Sequence, residues 1–135
     1  MSYTIERSAH IVDEITLTDH AETLVIKVDL VVDDILAGYT GTAKALAQAR
    51  KAVEEAQQSN DPEAIQSAHT AFCDAVRAMF TLFFGTDQTQ KLVDFYGGKY
   101  SEMLGDFLPY IRDVLLPQID KAKDAAVKRY TAWKG

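Results

Sequence analysis

Leu24, Ile26, Val28, Leu30 and Val32 alternate with Val25, Lys27, Asp29 and Val31, which is the two-residue repeat of a strand with one buried face. Ile15 and Leu17 supply a shorter matching strand. The polar stretch Thr18–Thr23 between them has the length of a hairpin loop, although it lacks the Asn-Gly or Asp-Gly pair that marks the tightest turns. An isolated two-stranded ribbon is marginal in water, so this hairpin must pack on the helices that follow or on strands of another subunit.

From Asp33 the period lengthens. Asp33 or Asp34 can cap a helix, and Ile35, Leu36, Tyr39, Leu46 and Val53 follow at roughly helical spacing among helix-favouring alanines. Gly38 and Gly41 weaken its first turns, so an irregular start as far as Thr42 is expected, with fraying near residues 57–60. Asn60-Asp61-Pro62-Glu63 then reads as a helix start: an Asx cap, a proline where its missing donor costs nothing, and an acid that suits the helix dipole. Ile65, Ala68, Phe72, Val76, Met79, Phe80 and Phe83 share one stripe, and Gly85 is a natural left-handed stop. Met79, Phe80, Leu82, Phe83 and Phe84 leave that end with little polar surface, so it is buried either in the monomer or against a partner. Thr86-Asp87 can cap a helix of about ten residues that Gly97-Gly98 terminates. Ser101-Glu102 opens a last stripe, Met103, Leu104, Phe107, Leu108, Ile111, Val114 and Leu115, in which Pro109 and Pro117 each predict a kink or a break.

The expectation is one α+β domain over residues 1–135: a β-hairpin region at 1–32 followed by a helical region at 33–135, with a bundle of four or five helices. A chain of 135 residues can bury roughly two-thirds of its unfolded surface without metal or disulfide staples. Net charge of −6 argues against nucleic acid as a partner, because that affinity rests on Lys and Arg. The single cysteine, Cys73, suits a reducing compartment. No leader-like apolar run and no stretch of the ~18 apolar residues of a membrane span is visible, so no membrane partner is expected. The charge is uneven. Residues 1–34 hold eight acids against Arg7 and Lys27, whereas the region after Pro117 carries Lys121, Lys123, Lys128, Arg129 and Lys134 against Asp120 and Asp124. These ends can stay solvated, pair within one monomer, or join the tail of one subunit to the head of another.

Catalytic and metal chemistry find little footing. His69 and Cys73 are four apart on a helix, yet structural zinc takes about four ligands, and His10 and His20 have no paired spacing. A di-iron bundle needs Glu-x-x-His on two helices, and Gln66-Ser67-Ala68-His69 occurs once with an amide in place of the acid. Cys73 lies among Ala71, Phe72 and Val76, a poor setting for a nucleophile. Glu102 and Asp106 flank an apolar stripe as solvated acids commonly do, and Gly97-Gly98-Lys99 lacks the rest of a phosphate loop. Tyr130 and Trp133 sit in a basic stretch whose helical face is mostly alanine, too weakly apolar for strong membrane insertion. No catalytic residue, cofactor or metal site is expected. The surplus of large apolar residues between 79 and 116 is left to fill the core, hold a partner, or do both.

The run Phe83-Phe84-Gly85-Thr86-Asp87-Gln88-Thr89-Gln90-Lys91-Leu92-Val93-Asp94-Phe95-Tyr96-Gly97-Gly98, with Tyr100, Met103-Leu104, Leu108-Pro109-Tyr110-Ile111 and Pro117-Gln118-Ile119 after it, resembles small tail proteins of long-tailed bacteriophages and prophages of Gram-positive bacteria. Within these it is most similar to the tail assembly chaperones, over residues 80–120. The resemblance implies a mostly helical, non-enzymatic protein in the host cytoplasm that binds the tape measure protein, or another tail protein, until the tail tube polymerises around it. It also implies self-association. The partner-contacting residues would be Phe83, Phe84, Phe95, Tyr96, Tyr100, Leu104 and Phe107, with Gly97 and Gly98 setting the turn between helices. Apolar patches that accept many sequences, with net charge for solubility, suit such a holdase. The hairpin lies outside the resemblance and equally suits a structural tail or head-tail connector subunit that assembles by strand pairing. A small enzyme with a helical pocket is a third reading, for which no spacing predicts converging polar groups.

Overall fold

The structure is a computed structural model in which residues 10–124 are described. Strands β1 (His10–Asp19) and β2 (Glu22–Val31) form an antiparallel hairpin, and four helices follow: α1 (Val32–Ser59), α2 (Pro62–Phe84), α3 (Thr86–Phe95) and α4 (Tyr100–Tyr110). This is the expected α+β, mostly helical architecture.

The hairpin is longer and its loop shorter than the sequence suggests. Pairing runs in unbroken register from His10↔Val31 to Asp19↔Glu22, leaving only His20 and Ala21 as the loop. Two features close the six-residue polar stretch so far. Thr18 and Thr23 sit opposite each other as a cross-strand pair, and His20 adopts φ 50°, a left-handed conformation that His tolerates better than most residues. The expected alternation holds on β2, where Ile26, Val28 and Leu30 are buried and the intervening Val25, Lys27 and Asp29 are exposed.

β2 passes into α1 with no linker. Val31 is still extended while Val32 is already helical and buried, and Asp33 and Asp34 place their charge on the positive end of the helix. The expected irregular start is absent, since α1 runs continuously through Gly38 and Gly41. The reason lies outside the helix. A β-carbon on Gly38 would come within 2.9 Å of Leu82 Cδ1, so α2 packs closely against α1 at this position. Contact between the start of α1 and the end of α2 makes the two helices antiparallel. Their connection is as read from the sequence: Asn60 ends α1 at φ 57°, and Asp61 Oδ1 accepts from the Glu63 N–H at 3.1 Å ahead of Pro62 in the first turn.

Gly85, at φ 81°, stops α2 with its N–H on Thr81 O, and α3 starts at the next residue with no side-chain cap from Thr86 or Asp87. Gly97 (φ 62°) and Gly98 (φ 77°) return their N–H groups to Asp94 O and Val93 O, which ends α3 as expected. The prolines do not break the last helix. α4 leads into a π-helical turn, Ile111–Leu115, and helical backbone continues through residue 124. The wide turn lies between Pro109 and Pro117, where the Leu116 N–H bonds back to Ile111 O, so the spacing change forced by missing donors is absorbed without a break.

The core gathers where these elements meet. Phe80 and Phe84 of α2 stand edge-on to Phe107 of α4 at centroid distances of 5.2 and 5.5 Å, and Phe83 meets Tyr39 of α1 at 6.1 Å. Ile26, Val28 and Leu30 belong to the same buried cluster, which joins hairpin and helices into one domain.

The two glycines of α1 therefore separate in their response to substitution. Gly41→Ala, with open space at the β-carbon, is expected to gain up to about 1 kcal/mol of stability from helix propensity. Gly38→Val, pressed against Leu82, is expected to lose about 1–3 kcal/mol. Chemical denaturation of the two variants at one temperature measures both.

Candidate functional site

The residues singled out from the sequence fall into two groups. Phe83, Phe84, Leu104 and Phe107 are buried in the chain's own core. The end of α2 lacks a polar face because β2, α1, α3 and α4 surround it, and the aromatic surplus there is consumed within the monomer. These four side chains present almost no surface to a partner in the described fold. Phe95, Tyr96 and Tyr100 are half-buried, and Gly97 and Gly98 are exposed at the α3–α4 corner.

That corner forms one wall of a cleft of ≈ 670 Å³ whose other wall is β1. Ile15, Leu17, Phe95 and Phe107 supply its apolar lining, while Asp19, Glu102 and Asp106 give it negative charge against the single Lys99. Two tyrosines brace it. The Tyr96 hydroxyl donates to Asp106 Oδ2 at 2.9 Å across the diglycine turn, and the Tyr110 hydroxyl donates to Asp13 Oδ2 at 2.6 Å, tying α4 to β1. Partial burial, and then the carboxylate at each hydroxyl, push both phenols above their ordinary pKa. The Tyr110 bond and the Glu14 N–H hold the Asp13 carboxyl below its usual 3.8. Tyr100 faces away from this pair of braces: its hydroxyl accepts from Arg77, which also donates to Gln90 and lies 5.9 Å from the Tyr100 ring centre.

The two edges of the hairpin differ. On β2, the Gln88 side chain accepts from the Lys27 N–H at 2.7 Å and donates to Lys27 O at 2.7 Å, taking both backbone groups that a further strand would use there. This contact also fixes the ladder. Lys27 turns its backbone outward, so its pair with Glu14 is of the non-hydrogen-bonded kind, and by alternation so are Thr16↔Val25 and Thr18↔Thr23. Thr16 and Thr18 consequently direct their N–H and C=O groups to the outer edge of β1, beside the cleft they help to line. Sequence reasoning raised strand pairing by the hairpin without singling out this edge, and it gave no role to Asp13, Gln88 or the Tyr110 hydroxyl.

The other candidate groups are dispersed. Cys73 Sγ lies 3.6 Å from His69 Nε2 on an exposed part of α2, and partial burial, with the neighbouring Asp74 carboxylate, pushes the thiol up and away from nucleophilic use. Glu102 and Asp106 are both exposed, with Asp106 engaged by Tyr96. Among the described residues no group of three or more His, Cys, Asp or Glu could hold a metal ion, and no helix is long and apolar enough to cross a membrane. The acids and cations of residues 1–9 and 125–135, with Tyr130 and Trp133, lie outside the described residues. No protein family, curated protein or solved structure matches the chain.

Two predictions test this partition. Phe84→Ser is expected to cost about 3–5 kcal/mol as a core truncation, whereas Tyr96→Phe leaves the fold standing; thermal denaturation distinguishes them. In an NMR titration the Asp13 carboxyl is expected to show a midpoint below 3.8, moving up toward it in Tyr110→Phe. Because the folded-state pKa is the lower one, the stabilisation from this contact is complete above the ordinary carboxylate range and disappears as pH falls through the depressed value.

Proposed function

We propose that this protein is a non-enzymatic binding factor in the assembly of long-tailed phage particles, a tail assembly chaperone that holds the tape measure protein through the cleft between β1 and the α3–α4 corner. One observation carries the reading. Phe95, Tyr96 and Gly97, from the segment that resembles such chaperones, line a braced cleft beside an open strand edge. The contact surface on this reading is made by the half-buried aromatics and β1, with Phe83, Phe84, Leu104 and Phe107 supporting them from beneath. A cleft of this kind suits an extended client segment: backbone groups at Thr16 and Thr18 give sequence-independent bonds, and the aromatic wall accepts varied side chains.

The open edge of β1 also favours a second reading, a structural tail or head-tail connector subunit that assembles by strand pairing. Affinity capture from cells expressing the surrounding gene cluster separates the two. Recovery of one very long helical protein, reduced at least roughly tenfold by combining Phe95→Ser with Tyr96→Ser, is the outcome expected of a chaperone. Recovery of the protein alone, in large regular assemblies, favours the structural subunit and rejects the chaperone.

A further inference from the structure

We infer that the cleft is also a self-assembly site, which receives residues 125–135 of a second copy of this chain. The inference rests on the cleft's geometry and charge and not on the identity of any client.

Charge complementarity selects the occupant. The cleft holds Asp19, Glu102 and Asp106 against Lys99, and segment 125–135 carries Lys128, Arg129 and Lys134 with no acid at all. The segment also brings Tyr130 and Trp133 to a cleft lined by Ile15, Leu17 and Phe95. Opposite charge at a partly apolar cleft gives register and encounter rate, and the aromatic side chains supply the buried area that holds a complex together.

Length favours the second copy for Lys128 and Arg129. Asp106 and Asp124 lie on one helical course, so roughly 27 Å separates the cleft from the start of the segment at about 1.5 Å per residue. A chain covers at most about 3.3–3.6 Å per residue when extended, so a return to its own cleft would use about eight residues. Lys128 and Arg129 would be spent on the way back and fall short of Glu102 and Asp106. A neighbouring copy can deliver them directly. The contact then joins the tail of one copy to the cleft of another, which closes as a reciprocal pair or propagates into rings or open chains.

Purified full-length protein tests this, with mass distribution followed by sedimentation velocity over a range of concentrations at low and at high salt. The expected result is association that grows with concentration and weakens with salt. Glu102→Lys, at an exposed position of α4, and Arg129→Glu should each weaken association at least roughly tenfold. Their combination in one chain should recover it, which a general loss of stability in either variant would not do. A protein that remains monomeric at all concentrations overturns the inference, and so does association that neither swap alters or that the combined swap fails to restore. No client is present in the measurement, so its failure leaves the chaperone reading to be decided by the capture experiment.

Discussion

A two-stranded ribbon cannot hold itself together in water, and the fold is arranged around that constraint. Ile26, Val28 and Leu30 lose nearly all contact with solvent only because the end of α2 offers them an apolar bed. Each such side chain contributes about 1.5–3 kcal/mol on burial, enough together to keep the hairpin seated. The aromatic run at the end of α2 has to serve β2, α1 and α4 at once, which explains why it has no polar side. Direct passage from Val31 into α1 adds a covalent restraint, since the strand's last residue fixes where the first long helix begins.

The cleft inherits its stiffness from this arrangement. One wall is a strand fixed from behind, and the other is a short helical corner whose bend is set by two glycines in conformations that other residues adopt only with strain. Tyr96–Asp106 and Tyr110–Asp13 then couple corner to helix and helix to strand. On the proposed reading, a surface ordered before binding would demand less entropy from the encounter.

Local signals were legible where local chemistry decides the outcome. The alternation from Leu24 to Leu30, the Asp61-Pro62-Glu63 start and the diglycine stop all depend on residues next to one another in sequence. Gly38 shows the opposite case: its propensity argues for an interrupted helix, and only the presence of Leu82 across the interface explains the residue. The prolines are similar, because a π turn is one of several ways to accommodate them and its choice depends on burying Ile111, Leu115 and Ile119 together. Phe83, Phe84, Leu104 and Phe107 mark the deepest limit. A large apolar side chain reads identically whether it faces its own core or another protein, so only the three-dimensional arrangement separates them from Phe95 and Tyr96. Asp13 and Gln88 act through partners distant in sequence, and nothing near either residue foretells Tyr110 or Lys27.

Gln88 makes the hairpin one-sided. With a single amide filling the place of a neighbouring strand at Lys27, β2 cannot pair with a further strand at that residue, whereas Thr16 and Thr18 of β1 turn their backbone groups outward, so the two margins of the ribbon are unlike. A strand added at β1 would bring its own outer margin, so the newcomer, and not this protein, would decide whether addition continues. A ribbon receptive on both sides would allow unlimited stacking, and at Lys27 one glutamine side chain stands in the way of it.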